Sequence, residues 1–178
     1  MAVSDECRAT FRAVHDSGAR QASDIGWVVI HATEGDTAEG AASWFANPAS
    51  GGSANLVVDG NECFRTVPDL RVPWAAPPLN KRGFHIEIAG HSAWTRAQWL
   101  EHRGALRRAA YKAADRCVKY RVPVRKVGRL GLLAGRKGIT GHVFVSQAWH
   151  QSDHTDPGVN FPWDVFLAYV KAYVKQGL

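Results

Sequence analysis

Trp27-Val28-Val29-Ile30-His31 is an unbroken apolar, β-branched run that stops on an imidazole. A run of this kind is a strand buried on both faces, and such strands alternate with helices in sheets covered on two sides. Far along the chain, Ile139-Thr140-Gly141-His142 is a second short strand signal that also stops on an imidazole. Beyond it comes Asp153-His154-Thr155-Asp156-Pro157-Gly158, where Pro-Gly makes a rigid turn that aims the carboxylate before it. The ends of these elements can meet in space, which would gather His31, His142 and Asp156. Two imidazoles, one carboxylate and an open fourth position are the donor set of a hydrolytic zinc ion, Zn²⁺. A rival pair is His150 and His154, four residues apart and on one face if their segment is helical. Gln151-Ser152-Asp153 between them is loop-like and weakens that pairing.

Working outward, residues 36–45 suit a helix with Asp36 as N-cap and Ala38, Ala41, Ala42 and Phe45 on one side, stopped by Asn47-Pro48. Residues 54–58 and 62–67 form strands around an Asp59-Gly60 turn. A Pro-rich loop over 72–80 carries Trp74. Residues 84–89 alternate, with Phe84, Ile86 and Ile88 on one face and His85 and Glu87 on the other. Thr95-Arg96-Ala97-Gln98 is a capping box that opens a long helix burying Trp99, Leu106, Ala110, Ala113 and Cys117. Residues 122–138 show no clear period. Asn160-Phe161-Pro162 starts a last helix striped by Val165, Phe166, Tyr169, Val170 and Tyr173. The order β-α-β-β-β-α-β-α predicts an α/β fold, a mixed central β-sheet with helices packed on both faces. It predicts one domain over 25–178, preceded over 1–24 by an N-terminal arm or short helix.

Composition agrees with this. The chain has 178 residues, 46% hydrophobic and 21% charged, enough for one sizeable core. No apolar stretch is long enough to span a membrane, and the first residues lack the basic and apolar regions of a secretory signal. The net charge of +6 is concentrated between Arg103 and Arg136, which suits either a solvated helix face or a surface for a polyanion. No nucleic-acid motif accompanies it, so no nucleic-acid partner is expected. Cys7, Cys63 and Cys117 are scattered and odd in number, with no framework or metal spacing. They are expected to be reduced, with Cys63 on a strand and Cys117 on a helix, in a chain made in a reducing cytoplasm.

Four stretches carry a resemblance, in order, over most of the chain. They are Val29-Ile30-His31-Ala32-Thr33-Glu34-Gly35; Ser53-Ala54-Asn55-Leu56-Val57-Val58-Asp59-Gly60 with Thr66-Val67-Pro68; Gly83-Phe84-His85-Ile86-Glu87-Ile88-Ala89-Gly90; and Ile139-Thr140-Gly141-His142 through Asp156-Pro157-Gly158-Val159-Asn160-Phe161-Pro162-Trp163. Together they resemble the type-2 N-acetylmuramoyl-L-alanine amidases, the family that includes peptidoglycan recognition proteins.

The resemblance implies a zinc hydrolase of peptidoglycan that cuts the amide between N-acetylmuramic acid and L-alanine. It assigns His31, His142 and Asp156 as zinc ligands and Glu87 as general base. His154 stands where relatives carry a lysine thought to stabilise the oxyanion, and an imidazole N–H can take that role. Asn55, where histidine is common, and Trp74 are the expected substrate contacts. Ala32 and Ala76 also depart from the pattern, each replacing a histidine that is not a ligand. A compact cationic chain of this kind most resembles a phage endolysin or its amidase domain. It would work in host lysis as a monomer, held in the host cytoplasm until released to the cell wall. A cytoplasmic amidase recycling anhydro-muropeptides and a non-catalytic peptidoglycan-binding module are the alternatives.

Overall fold

The computed structural model describes residues 6–177; the first five residues of the expected arm, and Leu178, lie outside the described residues. In chain order the elements are β1 (Asp16–Ala19), β2 (Trp27–Ala32), α1 (Ala38–Phe45), β3 (Leu56–Val58), β4 (Cys63–Arg65), β5 (Arg71–Pro73) and β6 (Gly83–Ile88). There follow α2 (Arg96–Glu101), α3 (Arg103–Tyr120), α4 (Arg129–Leu133), β7 (Gly138–Gly141), α5 (His142–Trp149) and α6 (Trp163–Gln176).

Five strands form a mixed sheet in the order β4-β3-β6-β2-β7, and β1 pairs with β5 in a separate two-stranded ribbon. β3, β6, β2 and β7 run parallel, and β4 returns antiparallel on β3. Period-two alternation sorts the side chains of each strand between two cores. Val28, Ile30, Phe84, Ile86, Leu56 and Val58 face the layer of α2, α3 and α6, where Trp99, Leu106, Ala113 and Phe166 are fully buried. Trp27 and Val29 face the other side, packed with Leu132 of α4 and Val145 of α5. On that same side α1 covers Val57 and Phe64. The expected mixed sheet with helices on both faces is present.

Local details depart from the sequence reading, each for an identifiable reason. Thr37, not Asp36, caps α1, because its hydroxyl accepts the Gly40 N–H at 3.1 Å. The long helix is broken at His102 into α2 and α3, and the Thr95–Gln98 capping box opens the first part. The 122–138 connection contains α4, and α5, to which the sequence reading assigned no element, follows directly on β7. The described part of the N-terminal arm carries no helix over residues 6–19 and a single short helical turn at Ala22–Asp24. It runs along the outer strand, with Arg8 bridging Phe64 and Phe11 packed edge-on against the Phe64 ring at 5.4 Å.

The expectation of three reduced cysteines is corrected. Cys7 and Cys63 form a disulfide across 56 residues, with their Cα atoms 4.6 Å apart, and only Cys117 is free and buried. The extended arm, held along β4, is what brings Cys7 to Cys63; their spacing in sequence carries no such information.

Asp69 fixes the loop after β4 to α3. Its carboxylate lies 3.1 Å from Arg116 Nε and accepts bonds from Lys119 at 2.9 Å and Tyr120 at 2.8 Å. Burial works to raise its pKa, but Arg116 and its other partners outweigh that and hold it below the usual 3.8. Removing one partner of a buried ion pair strands the other, so Asp69→Asn is expected to cost about 3 kcal/mol near neutral pH. A depressed carboxyl stabilises the fold fully above its unfolded value and loses that contribution as pH falls through its folded value. Chemical denaturation should therefore show the gap between wild type and variant closing in acid below pH 3.8.

Candidate metal centre

The parallel register builds the site. His31 is the fifth residue of β2 and pairs directly with Glu87 of β6. Ile30 pairs with Gly141, the last residue of β7, so His142 at the start of α5 stands beside His31. The stretch between α5 and α6 folds back over these strand ends and delivers Asp156. Gly158 makes this return possible: its φ is +95°, and a Cβ there would collide with the Ser92 carbonyl.

His31, His142 and Asp156 are all buried, and each offers a ligand atom within 4.8 Å of the others. His31 Nδ1 lies 3.1 Å from Asp156 Oδ2, and His142 Nδ1 lies 3.3 Å from Oδ1. Yet Asp156 Oδ2 and Glu87 Oε2 are buried without a hydrogen-bond partner. Orphaned carboxylate oxygens beside converging imidazoles are a donor set that calls for a cation. Two nitrogens and one carboxylate oxygen suit zinc.

The imidazoles are held from behind. His85 Nε2 faces the Leu79 carbonyl at 3.2 Å, and a carbonyl only accepts, so this nitrogen carries the hydrogen. His85 Nδ1 then accepts from His31 Nε2 at 3.1 Å, which leaves His31 Nδ1 to face Asp156 with a free lone pair. Behind His142, Ser152 Oγ lies 3.2 Å from Nε2 and is itself bonded to Ser146 at 2.7 Å. Such outer partners fix ring orientation in metal sites. Neither His85 nor Ser152 was singled out in the sequence, although His85 shares the Glu87 face of β6 by simple alternation.

Electrostatics reinforce the demand for positive charge. Burial pulls His31 down, but the Glu87 and Asp156 carboxylates outweigh it and raise its proton affinity above that of a free imidazole. Asp156 sits well below the usual carboxylate range despite burial, because His142, His154 and His31 all approach it. Burial pushes Glu87 up to about 7 and takes His142 down to about 4. His85 is held neutral by burial and by the charges of His31 and Arg20.

The centre forms the floor of a cleft of about 970 Å³ whose walls include Trp44, Trp74, Asp36 and His154. His154 is largely exposed, stacks on His142 at 4.2 Å and points Nδ1 at Asp156 Oδ1, 3.3 Å away. Trp74 is 44% exposed, braced by His15 stacked behind it and by an indole bond to Ser17 at 2.7 Å. Asn55 is not brought to the cleft. It is fully buried, its Oδ1 accepting from His85 N–H at 3.0 Å and from Arg20 at 3.2 Å, its amide donating to Val67 and Pro68 carbonyls. Its expected substrate contact is therefore corrected to that of an internal brace under β6. The rival His150–His154 pair does not share a helix face, since α5 ends with His150 in a left-handed conformation. Trp94 packs on His102 and Trp99 and does not line the cleft.

An α/β sheet whose parallel strands end on two buried imidazoles and an adjacent glutamate, under a cleft open to solvent, defines a hydrolase-type centre. The chain belongs to the N-acetylmuramoyl-L-alanine amidase family, whose model matches residues 21–159, and it is an amidase of that family. No curated protein sequence matches it. Among solved structures it is similar to the hydrolase AmiA of Staphylococcus aureus, solved in complex with its ligand (TM-score 0.76, 19% identity, covering 97% of this chain and 85% of that one). PlyL is similar at a TM-score of 0.69 and 17% identity, covering 94% of this chain and 98% of that one. A mutant endolysin from Bacillus subtilis is similar at 0.63 and 17%, covering 93% and 98%. At these identities the structural likenesses establish the fold.

Proposed function

We propose that this chain is a zinc-dependent peptidoglycan hydrolase that cleaves the amide between N-acetylmuramic acid and L-alanine, working as a phage endolysin. The observation that carries the chemistry is the buried His31–His142–Asp156 group with Glu87 in register beside it on the cleft floor. When bound, zinc supplies polarisation of the scissile carbonyl and acidification of the attacking water. His31 and His142 would hold it through Nδ1, and Asp156 through its carboxylate. Glu87, 3.9 Å from His31 Nδ1 and orphaned at Oε2, takes the proton of the attacking water and returns it to the leaving nitrogen. His154 donates an N–H to the carbonyl oxygen as negative charge develops there. Trp44 and Trp74, each with an exposed face in the cleft, offer platforms for the sugar.

The endolysin role is supported by the fold shared with the Bacillus subtilis endolysin and by the compact cationic chain. On this reading the protein is made in the host cytoplasm, acts as a monomer on released wall, and closes its Cys7–Cys63 disulfide on the oxidising side of that passage. The test is digestion of purified murein. New L-alanine amino termini without new reducing sugars support the assignment; reducing sugars alone, or binding without cleavage, overturn it.

His154 is separable from the ligands. His154→Ala should lower turnover about 10²-fold with zinc content unchanged, and His154→Lys should recover most of it. Zinc loss in either variant, measured by atomic spectrometry, would make His154 a ligand instead.

A further inference from the structure

Much of the chain's excess positive charge lies in one stretch. Residues 116–152 contain eight lysines and arginines and no aspartate or glutamate, while the rest of the chain holds 14 cations against 16 acids. The structure draws much of this stretch into one surface. Arg125 Nε donates to the Lys137 carbonyl at 2.9 Å, and the Arg136 N–H donates to Gly131 of α4 at 2.8 Å. Arg129 Nε is anchored on the Gln147 carbonyl at 3.0 Å. Ion pairs among the described residues use Arg8, Arg71, Lys81, Arg96, Arg116 and Lys119, and none of the cations of this surface.

Two large apolar side chains stand out of the same surface. Leu130 is 76% exposed and Leu133 49% exposed, one turn apart on α4, while Leu132 between them is buried. A solvated basic face has no use for them, and a linear polyanion gives them nothing to bury against. Cations ringing exposed leucines fit an anionic bilayer, where the charges meet phosphates and the leucines enter the headgroup–acyl boundary.

The surface also has a defined direction. Arg136 and Lys137 lead directly into β7, and Trp27↔Gly138 pairing sets them beside the start of β2, whereas His31 and His142 lie at the far ends of those strands. Five residues at about 3.3 Å each place Lys137 roughly 16 Å from His142 along the strand axis. We propose that the face formed by Arg125, Arg129, Arg136 and Lys137 with Leu130 and Leu133 docks on a membrane rich in anionic phospholipid. Docked there, the cleft opens away from the lipid.

Co-sedimentation of the full chain with phosphatidylglycerol/phosphatidylcholine vesicles, against pure phosphatidylcholine, tests this. Binding should need the anionic lipid and weaken with salt. Each cation near such a surface is worth roughly fivefold, so the Arg136→Gln/Lys137→Gln double variant should bind about 25-fold more weakly. The same change at Lys171 and Lys175, exposed on α6, should have much less effect. Leu130→Ser/Leu133→Ser should lose at least about fivefold on vesicles while its weaker affinity for soluble polyphosphate stays unchanged. Melting temperatures within a few degrees of wild type show that each variant folds. If the leucine variant binds vesicles as tightly as wild type, or if wild type prefers polyphosphate to vesicles, the face is a polyanion surface and membrane docking is wrong. No preference for anionic vesicles at all would also overturn it.

Discussion

Glu87→Gln is expected to keep zinc bound and to lose turnover by about 10²–10⁴. The substitution keeps the shape of the side chain and its place opposite His31 and Val57 in the sheet, but removes its capacity to accept a proton. Burial disfavours the charged form of Glu87, and neutral glutamine fills the same space without a charge to desolvate. Stability should hardly fall, and the melting temperature should match wild type. The decisive comparison is zinc content against kcat on a soluble muramyl peptide. Near-normal kcat would make Glu87 a structural residue, and zinc loss would make it a ligand.

The second large effect concerns the ligands. Chelation should abolish activity, and added Zn²⁺ should restore it. His31→Ala and Asp156→Ala should both fail to retain stoichiometric zinc, yet both should fold, because the cores on either side of the sheet do not pass through the site. Ligand binding to the folded state alone stabilises it by about 4 kcal/mol when the ligand is present at 1,000 times its Kd. Zinc should accordingly raise the melting temperature of wild type by several degrees and leave those of the two variants unmoved. A wild-type preparation shown to be free of metal and fully active would sink the mechanism. An Asp156→Ala variant that keeps its zinc would point to another third ligand.

Much of this was legible in local pattern. The alternation of Phe84, Ile86 and Ile88 with His85 and Glu87 is a property of five consecutive residues, and it placed Glu87 on the face where His31 also lies. The Thr95–Gln98 capping box and the β-branched run into His31 are likewise complete within a few positions. What stayed hidden depends on distance or on weak propensity. α5 begins His142-Val143-Phe144-Val145, residues equally at home in a strand, and its packing against α4 and β2 decides its helical state. The family resemblance alone implies a substrate contact for Asn55, and only the three-dimensional arrangement shows Arg20 and the His85 amide claiming its side chain. Cys7 and Cys63 meet because the arm is extended, which its weak helical spacing concealed.

That disulfide has a consequence beyond cross-linking. β4 is a terminal strand of the sheet, and a terminal strand presents unpaired amides and carbonyls on which a second molecule can add. Arg8 occupies part of that row, giving its N–H to the Cys63 carbonyl and taking the Arg65 N–H, and Cys7 is bonded to the strand it shields. The bridge thus acts as a guard on colloidal behaviour. Its reduction would matter most in concentrated solution, where released sheet edges find one another, and light scattering would register the change before the heat of unfolding did.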